Sequence, residues 1–221
     1  MLRRHDLLRA APATWNAMLQ CHPGLADLPL VVDWARLGRP VIVRRRMADD
    51  FANGVPAALP LPPSHGKQRL AFSLFSGAGV VALPPLLLRE TVRAAPAEWQ
   101  PVIAALLDLG DTVGATPRVF GGLLWEHLTG LRYLTVQSDL DLLWSVSDER
   151  IAALLVEGLL RLDADPVRLD GEIELPDGAG VNWRELAQSD ANPGDEVLVK
   201  IMDGVEVRTK AGLFRTPVSL S

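Results

Sequence analysis

The sequence predicts an α+β protein in two parts, and three observations lead there. From Thr116 onward, short apolar runs of strand length alternate with stretches whose apolar residues recur at helical spacing. Before Pro84 the chain is a mixed region with a proline-rich segment, and from Pro84 the pattern turns helical. A hydrophobic content of 48% over 221 residues is ordinary for a globular chain and can bury a real core, as one large domain or two small ones. We expect a smaller N-terminal α+β domain over residues 1–85 and a larger domain over residues 86–221.

In the first part, Ala13 to Leu19 has helical spacing, and Pro40 to Arg46 reads as a strand that leaves a basic cluster at its end. Val55 to Gly66 carries Pro56, Pro60, Pro62 and Pro63 and reads as an ordered loop. Lys67 to Phe75 alternates enough to be a strand. Leu86 to Ala94 and Trp99 to Leu109 read as helices, with Gly110 as the C-cap of the second. In the second part, Thr116 to Phe120 is a short strand, Gly122 to Leu131 a helix and Asp139 to Trp144 a strand. Ser147-Asp148-Glu149 offers a helix start with acids in the first turn, continued by Ile151 to Leu162. Val167 to Leu175 is a strand with Arg168, Asp170, Glu172 and Glu174 on its polar face. Gly178 to Gly180 makes a turn, and Asn182 caps a helix over Trp183 to Ala187. Glu196 to Met202 and Val205 to Thr209 form a hairpin across Asp203-Gly204.

Charge and composition narrow the function. A net charge of −5 argues against a nucleic-acid binder, although a local basic patch is compatible with it. The lone Cys21 excludes an internal disulfide, fits a reducing compartment and reads as a buried free thiol. The apolar run after Arg3 and Arg4 is broken by His5, Asp6 and Arg9, so no secretory signal is read, and no stretch approaches the ~20 apolar residues of a membrane span. The expectation is a soluble, cytoplasmic protein.

The chemistry concentrates in Ser138-Asp139-Leu140-Asp141-Leu142-Leu143-Trp144. Charges are rarely left unpaired in an apolar strand. Residues i and i+2 share a face about 7 Å apart, so Asp139 and Asp141 stand side by side. Such a pair can clamp divalent metal, and paired metals serve displacement at phosphorus. Upstream, Phe120-Gly121-Gly122 opens a helix, with residues 123 to 138 between the glycines and the first aspartate. Glycines let the backbone approach a ligand, and the first-turn N–H groups favour an anion. A third carboxylate on a neighbouring strand is then either Asp170 or Glu172, with Asp170 favoured. Asp170-Gly171 reads equally as a turn or a bulge. Ser138 either contacts phosphate or begins the strand. Lys200 ends an apolar strand, either reaching a polyphosphate or standing solvated. His127, alone on its helix, reads as structural. Arg44, Arg45 and Arg46 cannot all face one side, but a basic rim including Arg44 and Arg45 suits an acidic partner or a polyphosphate.

The order apolar-Gly-Gly, helix, Asp-Leu-Asp strand resembles nucleotidyltransferases of the polymerase-β type. The chain more closely resembles the family of malonate decarboxylase holo-[acyl-carrier-protein] synthases, or phosphoribosyl-dephospho-CoA transferases. The matching residues are Arg4-His5-Asp6, Gly38 to Arg45, Trp125 to Gly130, Tyr133, Ser138 to Trp144, Asp170-Gly171-Glu172, Pro176-Asp177-Gly178, Trp183-Arg184-Glu185 and Val197 to Lys200. Gly122 departs from the serine of many relatives and leaves the phosphate grip to backbone N–H groups. The resemblance implies a polymerase-β-like catalytic domain at 86–221 and carrier-protein or substrate docking by 1–85. It implies Mg²⁺ on Asp139 and Asp141, triphosphoribosyl-dephospho-CoA as donor, and the acyl carrier protein subunit of malonate decarboxylase as acceptor. Two other readings stand beside it: a nucleotidyltransferase adenylylating a small molecule or another protein, and a nucleotide-binding module without catalysis.

Overall fold

The computed structural model describes residues 2–75, 77, 79–163, 167–188 and 194–215. The chain divides into two units. One takes Met1–Pro85 with Leu128–Arg132 and Met202–Gly204; the other takes Leu86–His127, Tyr133–Ile201 and Val205–Ser221.

In the first unit the chain runs through β1 (Leu7–Ala10), α1 (Pro12–Cys21), α2 (Pro23–Ala26), α3 (Pro29–Val32), β2 (Val41–Val43), β3 (Gly54–Pro60), β4 (Arg69–Phe75) and β5 (Val80–Leu83). All three helices open on proline, whose fixed φ and missing N–H cost nothing in a first turn. The strands form an antiparallel sheet in the order β4-β3-β2-β1-β5. Trp15, Met18, Val31 and Trp34 are buried, and the two indole N–H groups donate to the carbonyls of Val31 and Pro40.

The proline-rich segment expected as a loop is largely the strand β3. The carbonyl of Pro56 accepts from Arg44 N at 3.1 Å, one residue past the end of β2. The missing N–H of Pro56 faces the same side, so no ladder bond is lost. The strand expected over 40–46 stops at Val43. Cys21, expected buried, is exposed at the end of α1.

The second unit contains α4 (Leu88–Thr91), α5 (Gln100–Val113), β6 (Pro117–Val119), α6 (Gly121–Thr129), β7 (Leu140–Ser145), α7 (Glu149–Leu162), β8 (Leu169–Glu174), β9 (Gly180–Asn182), α8 (Trp183–Gln188), β10 (Glu196–Ile201) and β11 (Gly204–Thr209). The sheet order is β11-β10-β9-β8-β7-β6, with β7 and β8 parallel and joined through α7. Asp148 caps α7 by accepting from Ile151 N, as its sequence predicts. Leu140, Leu142, Trp144, Leu169 and Ile173 fill one face of the sheet. Ile103 and Leu106 of α5 and Ala152, Leu155 and Leu159 of α7 are buried with them.

Two helix expectations change. The span 86–94 holds only the single turn α4 and a 3₁₀ turn. Helix α5 runs through Gly110 and ends at Gly114, whose φ of 74° makes it the cap. Gly110 sits inside because a Cβ there would lie 2.7 Å from the Ala115 carbonyl and 2.8 Å from Pro117 Cδ.

Candidate active site

The parallel pairing of β7 with β8 builds the site. Leu140 stands opposite Leu169, Asp141 opposite Asp170, Leu143 opposite Glu172 and Ser145 opposite Glu174. Adjacent strands are about 4.8 Å apart, so the sheet brings Asp141 and Asp170 side by side at the N-terminal end of both strands. Asp139 lies just before β7, two residues from Asp141 and beside Arg168, whose guanidinium is 3.6 Å away. Three of the expected carboxylates thus share one face and one end of the sheet. The opposite face, with Leu140, Leu142 and Leu169, is dry core.

Asp170-Gly171 is neither a turn nor a bulge. The register runs through it without interruption, and the reason for the glycine is steric. Gly171 has φ 139°, and a Cβ on it would fall 1.9 Å from the carbonyl oxygen of Leu142. Only glycine lets β7 and β8 close at this point.

The helix α6 starts against the same carboxylates. Phe120 N donates to the Asp141 carbonyl at 3.1 Å, which brings Gly121 under the Asp141 side chain. Gly121 has φ 65°, and a Cβ there would lie 1.8 Å from Asp141 Oδ2. The close approach made by Gly121 is therefore to a site carboxylate of the protein itself. Gly122 is tight against Leu134, at 3.0 Å from a Cβ position. Glu126 Oε2 accepts from both Tyr133 N and Leu134 N, which holds the segment beyond α6 against it.

Glu172 is not placed like the aspartates. It is 4% exposed, and its Oε1 accepts from Lys200 Nζ at 2.7 Å. Glu174 is 6% exposed and accepts from Ser145 Oγ at 2.6 Å. The polar face of the strand is thus buried at Glu172 and Glu174, with these charges in an ion pair and a hydrogen bond. This separates Asp170 from Glu172, since Asp170 stands with Asp141 and Glu172 serves Lys200.

The other expected binding residues divide. Ser138 closes a turn, its Oγ accepting from Thr135 N at 2.9 Å. Arg44 is not available as a docking cation. Its guanidinium grips Asp50 through two bonds of 2.8 and 2.5 Å and donates to the carbonyls of Ala57 and Arg45. Arg45 is exposed, as the rim reading requires. His127 is exposed on α6.

Sequence reasoning missed two supports of Asp170. Its Oδ1 accepts from its neighbour Gly171 N at 2.8 Å and from Asn182 Nδ2 at 3.2 Å. The residue before it is clamped: Arg184 donates to the Leu169 carbonyl at 2.6 Å, and Leu169 N donates to Asp163 Oδ1 at 3.0 Å. Asp163 and Arg184 form a two-armed ion pair at 2.7 and 2.8 Å. Burial pushes the Asp163 carboxyl up, but hydrogen bonds from Arg184 and Leu169 N outweigh it and leave it below the usual carboxylate range. The cap signal at Asn182 was legible, but its second bond joins residues twelve apart and needs the β8–β9 pairing.

Carboxylate oxygens at the end of a sheet are the hard donors that Mg²⁺ prefers, and Mg²⁺ is held by one or two carboxylates with substrate phosphates completing its shell. Among the described residues, no three His, Cys, Asp or Glu side chains form a cage for a metal on their own. Among the described residues no helix is long and apolar enough to cross a membrane.

Residues 87–211 match the C-terminal domain of the phosphoribosyl-dephospho-CoA transferase MdcG, and residues 3–85 match its N-terminal domain. A phosphoribosyl-dephospho-CoA transferase of Bradyrhizobium diazoefficiens is 40% identical over 91% of this chain and 88% of its own length. One from Xanthomonas euvesicatoria is 37% identical over 97% of both chains, and one from Pseudomonas syringae is 30% identical over 92% and 90%. No solved structure matches the chain. With family matches that span nearly its whole length and relatives aligned end to end, the chain belongs to the phosphoribosyl-dephospho-CoA transferase family of enzymes.

Proposed function

We propose that the protein transfers the phosphoribosyl-dephospho-CoA group of 2′-(5″-triphosphoribosyl)-3′-dephospho-CoA to a serine of the apo acyl carrier protein subunit of malonate decarboxylase. The observation that carries the chemistry is the alignment of Asp139, Asp141 and Asp170 on one face, with the first turn of α6 against Asp141. The relatives' shared name supports the group that is moved. The serine Oγ forms a new bond to the α-phosphorus of the donor. The bond from that phosphorus to the bridging oxygen breaks, and diphosphate leaves with the electron pair.

Asp139 and Asp141 would hold Mg²⁺, which supplies charge neutralisation on the triphosphate and the leaving diphosphate. Asp170 faces the same space and is the candidate to accept the serine proton or to lower its pKa. The N–H groups at the start of α6 orient an anion beside the carboxylates. Glu172 keeps Lys200 at the next step along the strand, where an ammonium favours the phosphates as a point charge. Positioning and electrostatics supply most of the rate in this class of reaction. The two-unit division supports separate tasks, with catalysis in 86–221 and docking of the acidic acceptor in 1–85 through Arg45 rather than Arg44. The larger unit is proposed to have the polymerase-β-like nucleotidyltransferase fold. The lone cysteine and the acceptor together favour the cytoplasm as the site of action.

The test offers Mg²⁺, purified apo carrier subunit, and either the triphosphoribosyl donor or ATP, read by intact mass. The expected result is a mass increase matching the CoA-derived group, lost in Asp139→Ala. Modification by ATP alone would instead establish an adenylylating enzyme.

A further inference from the structure

Asp170 is held by groups that neither the family match nor the carboxylate pattern names. Its Oδ1 takes a hydrogen bond from the Asn182 side-chain amide at 3.2 Å, across the β8–β9 pair. The other end of the same amide is also in use, since Asn182 Oδ1 accepts from Arg184 N at 2.8 Å and opens α8. Arg184 in turn reaches back to the carbonyl of Leu169, the residue before Asp170, while paired with Asp163. One turn of chain from Asn182 to Arg184 therefore holds the Asp170 carboxylate directly and the carbonyl of Leu169 just before it.

We propose that Asn182, with the Asp163–Arg184 pair behind it, is the positioning device for Asp170. The amide fixes Oδ1 and so commits Oδ2 to the space shared with Asp139 and Asp141. An amide is suited to the task, because it presents a donor to the carboxylate and an acceptor to the helix at once. A carboxylate in its place would repel Asp170. The inference rests on the proposed two-aspartate metal site and adds the groups that aim its third carboxylate.

The experiment uses the full-length protein and reads Mn²⁺ binding by electron paramagnetic resonance, alongside transfer kinetics. Asn182→Ser keeps an oxygen that can cap α8 but is too short to donate to Asp170. It is expected to weaken Mn²⁺ binding about tenfold and to lower kcat by a similar factor, as loss of a ligand's hydrogen-bonding partner does. The KM for the triphosphate donor and the melting temperature should hold. Arg184→Lys, which keeps the charge but not the two-armed grip, should move the same readouts in the same direction. Unchanged Mn²⁺ affinity and kcat in Asn182→Ser, with Asp170→Asn defective in both, would overturn the positioning role and leave the metal site standing. Unchanged Mn²⁺ affinity in Asp170→Asn as well would take Asp170 out of reach of the metal and overturn the proposal, while leaving a metal site on Asp139 and Asp141 standing.

Discussion

Two ends of one carboxylate-bearing face behave differently. At the N-terminal end of β7 and β8, Asp139, Asp141 and Asp170 are partly exposed, and the exposed Arg168 stands 3.6 Å from Asp139. Two and four residues further along β8, Glu172 and Glu174 are buried and tied to Lys200 and Ser145. The side chains are the same in kind. A buried carboxylate must be paired to be tolerated, and a carboxylate that spends its oxygens on pairing contributes structure. One at the rim keeps capacity for a ligand. The comparison teaches that neighbourhood sorts the acids of this face into a half-exposed set and a buried, paired set.

The largest test of that contrast is Asp141→Ala. It should lower transfer by about a thousandfold or more, because charge stabilisation at phosphorus is lost. The melting temperature should hold or rise, since neighbouring acids repel when no cation is present. Next is Gly121→Ala, where the new Cβ would overlap Asp141 Oδ2 and the positive φ adds roughly 1–2 kcal/mol of backbone cost. We expect nearly complete loss of transfer with modest destabilisation in urea. An active Gly121→Ala would show that α6 need not approach the carboxylates so closely.

Glu172→Ala should do the reverse of Asp141→Ala. It removes the buried carboxylate beside Lys200, whose ammonium is 41% exposed and can be solvated, so it should cost only about 1 kcal/mol of stability. Residual transfer should be well above that of Asp141→Ala. Equal loss in both variants would end the division between the two ends. A smaller effect concerns pH. Asp163 titrates low when folded, so its stabilisation is complete above about pH 4 and is lost as pH falls through its folded pKa. Asp163→Asn should therefore melt lower at pH 7 and show a shallower further loss below pH 4 by calorimetry. The smallest expected effect is Arg45→Glu, which should weaken use of carrier protein several-fold while leaving use of the triphosphate unchanged. Arg44→Glu should lower stability instead, since it confronts Asp50 with a like charge.

Local pattern carried much of the fold. The period-2 runs of β7, β8, β10 and β11 and the helical spacing of α7 were legible because each sorts apolar residues onto one face over its own length. The cap at Asp148 and the cap at Asn182 were legible for the same local reason. Where reading failed, the cause was remote. Pro56 is compatible with a strand only because β2 ends before it, and Gly110 lies inside α5 only because Pro117 and Trp144 pack against it. Gly171 reads as a break in isolation and is a strand residue because Leu142 lies against it.

By itself the sequence determined the residue types of the site, the spacing of Asp139 and Asp141, and the presence of a glycine pair at a helix start. Those are properties of short segments, where steric period and propensity act within a few residues. Only the tertiary structure set Asp170 beside Asp141 and Glu172 against Lys200, bound Arg44 to Asp50, and joined Asn182 and Arg184 to the strand that carries Asp170. Each of those outcomes depends on burial and on a partner distant in the chain, and neither exists until the sheets have formed.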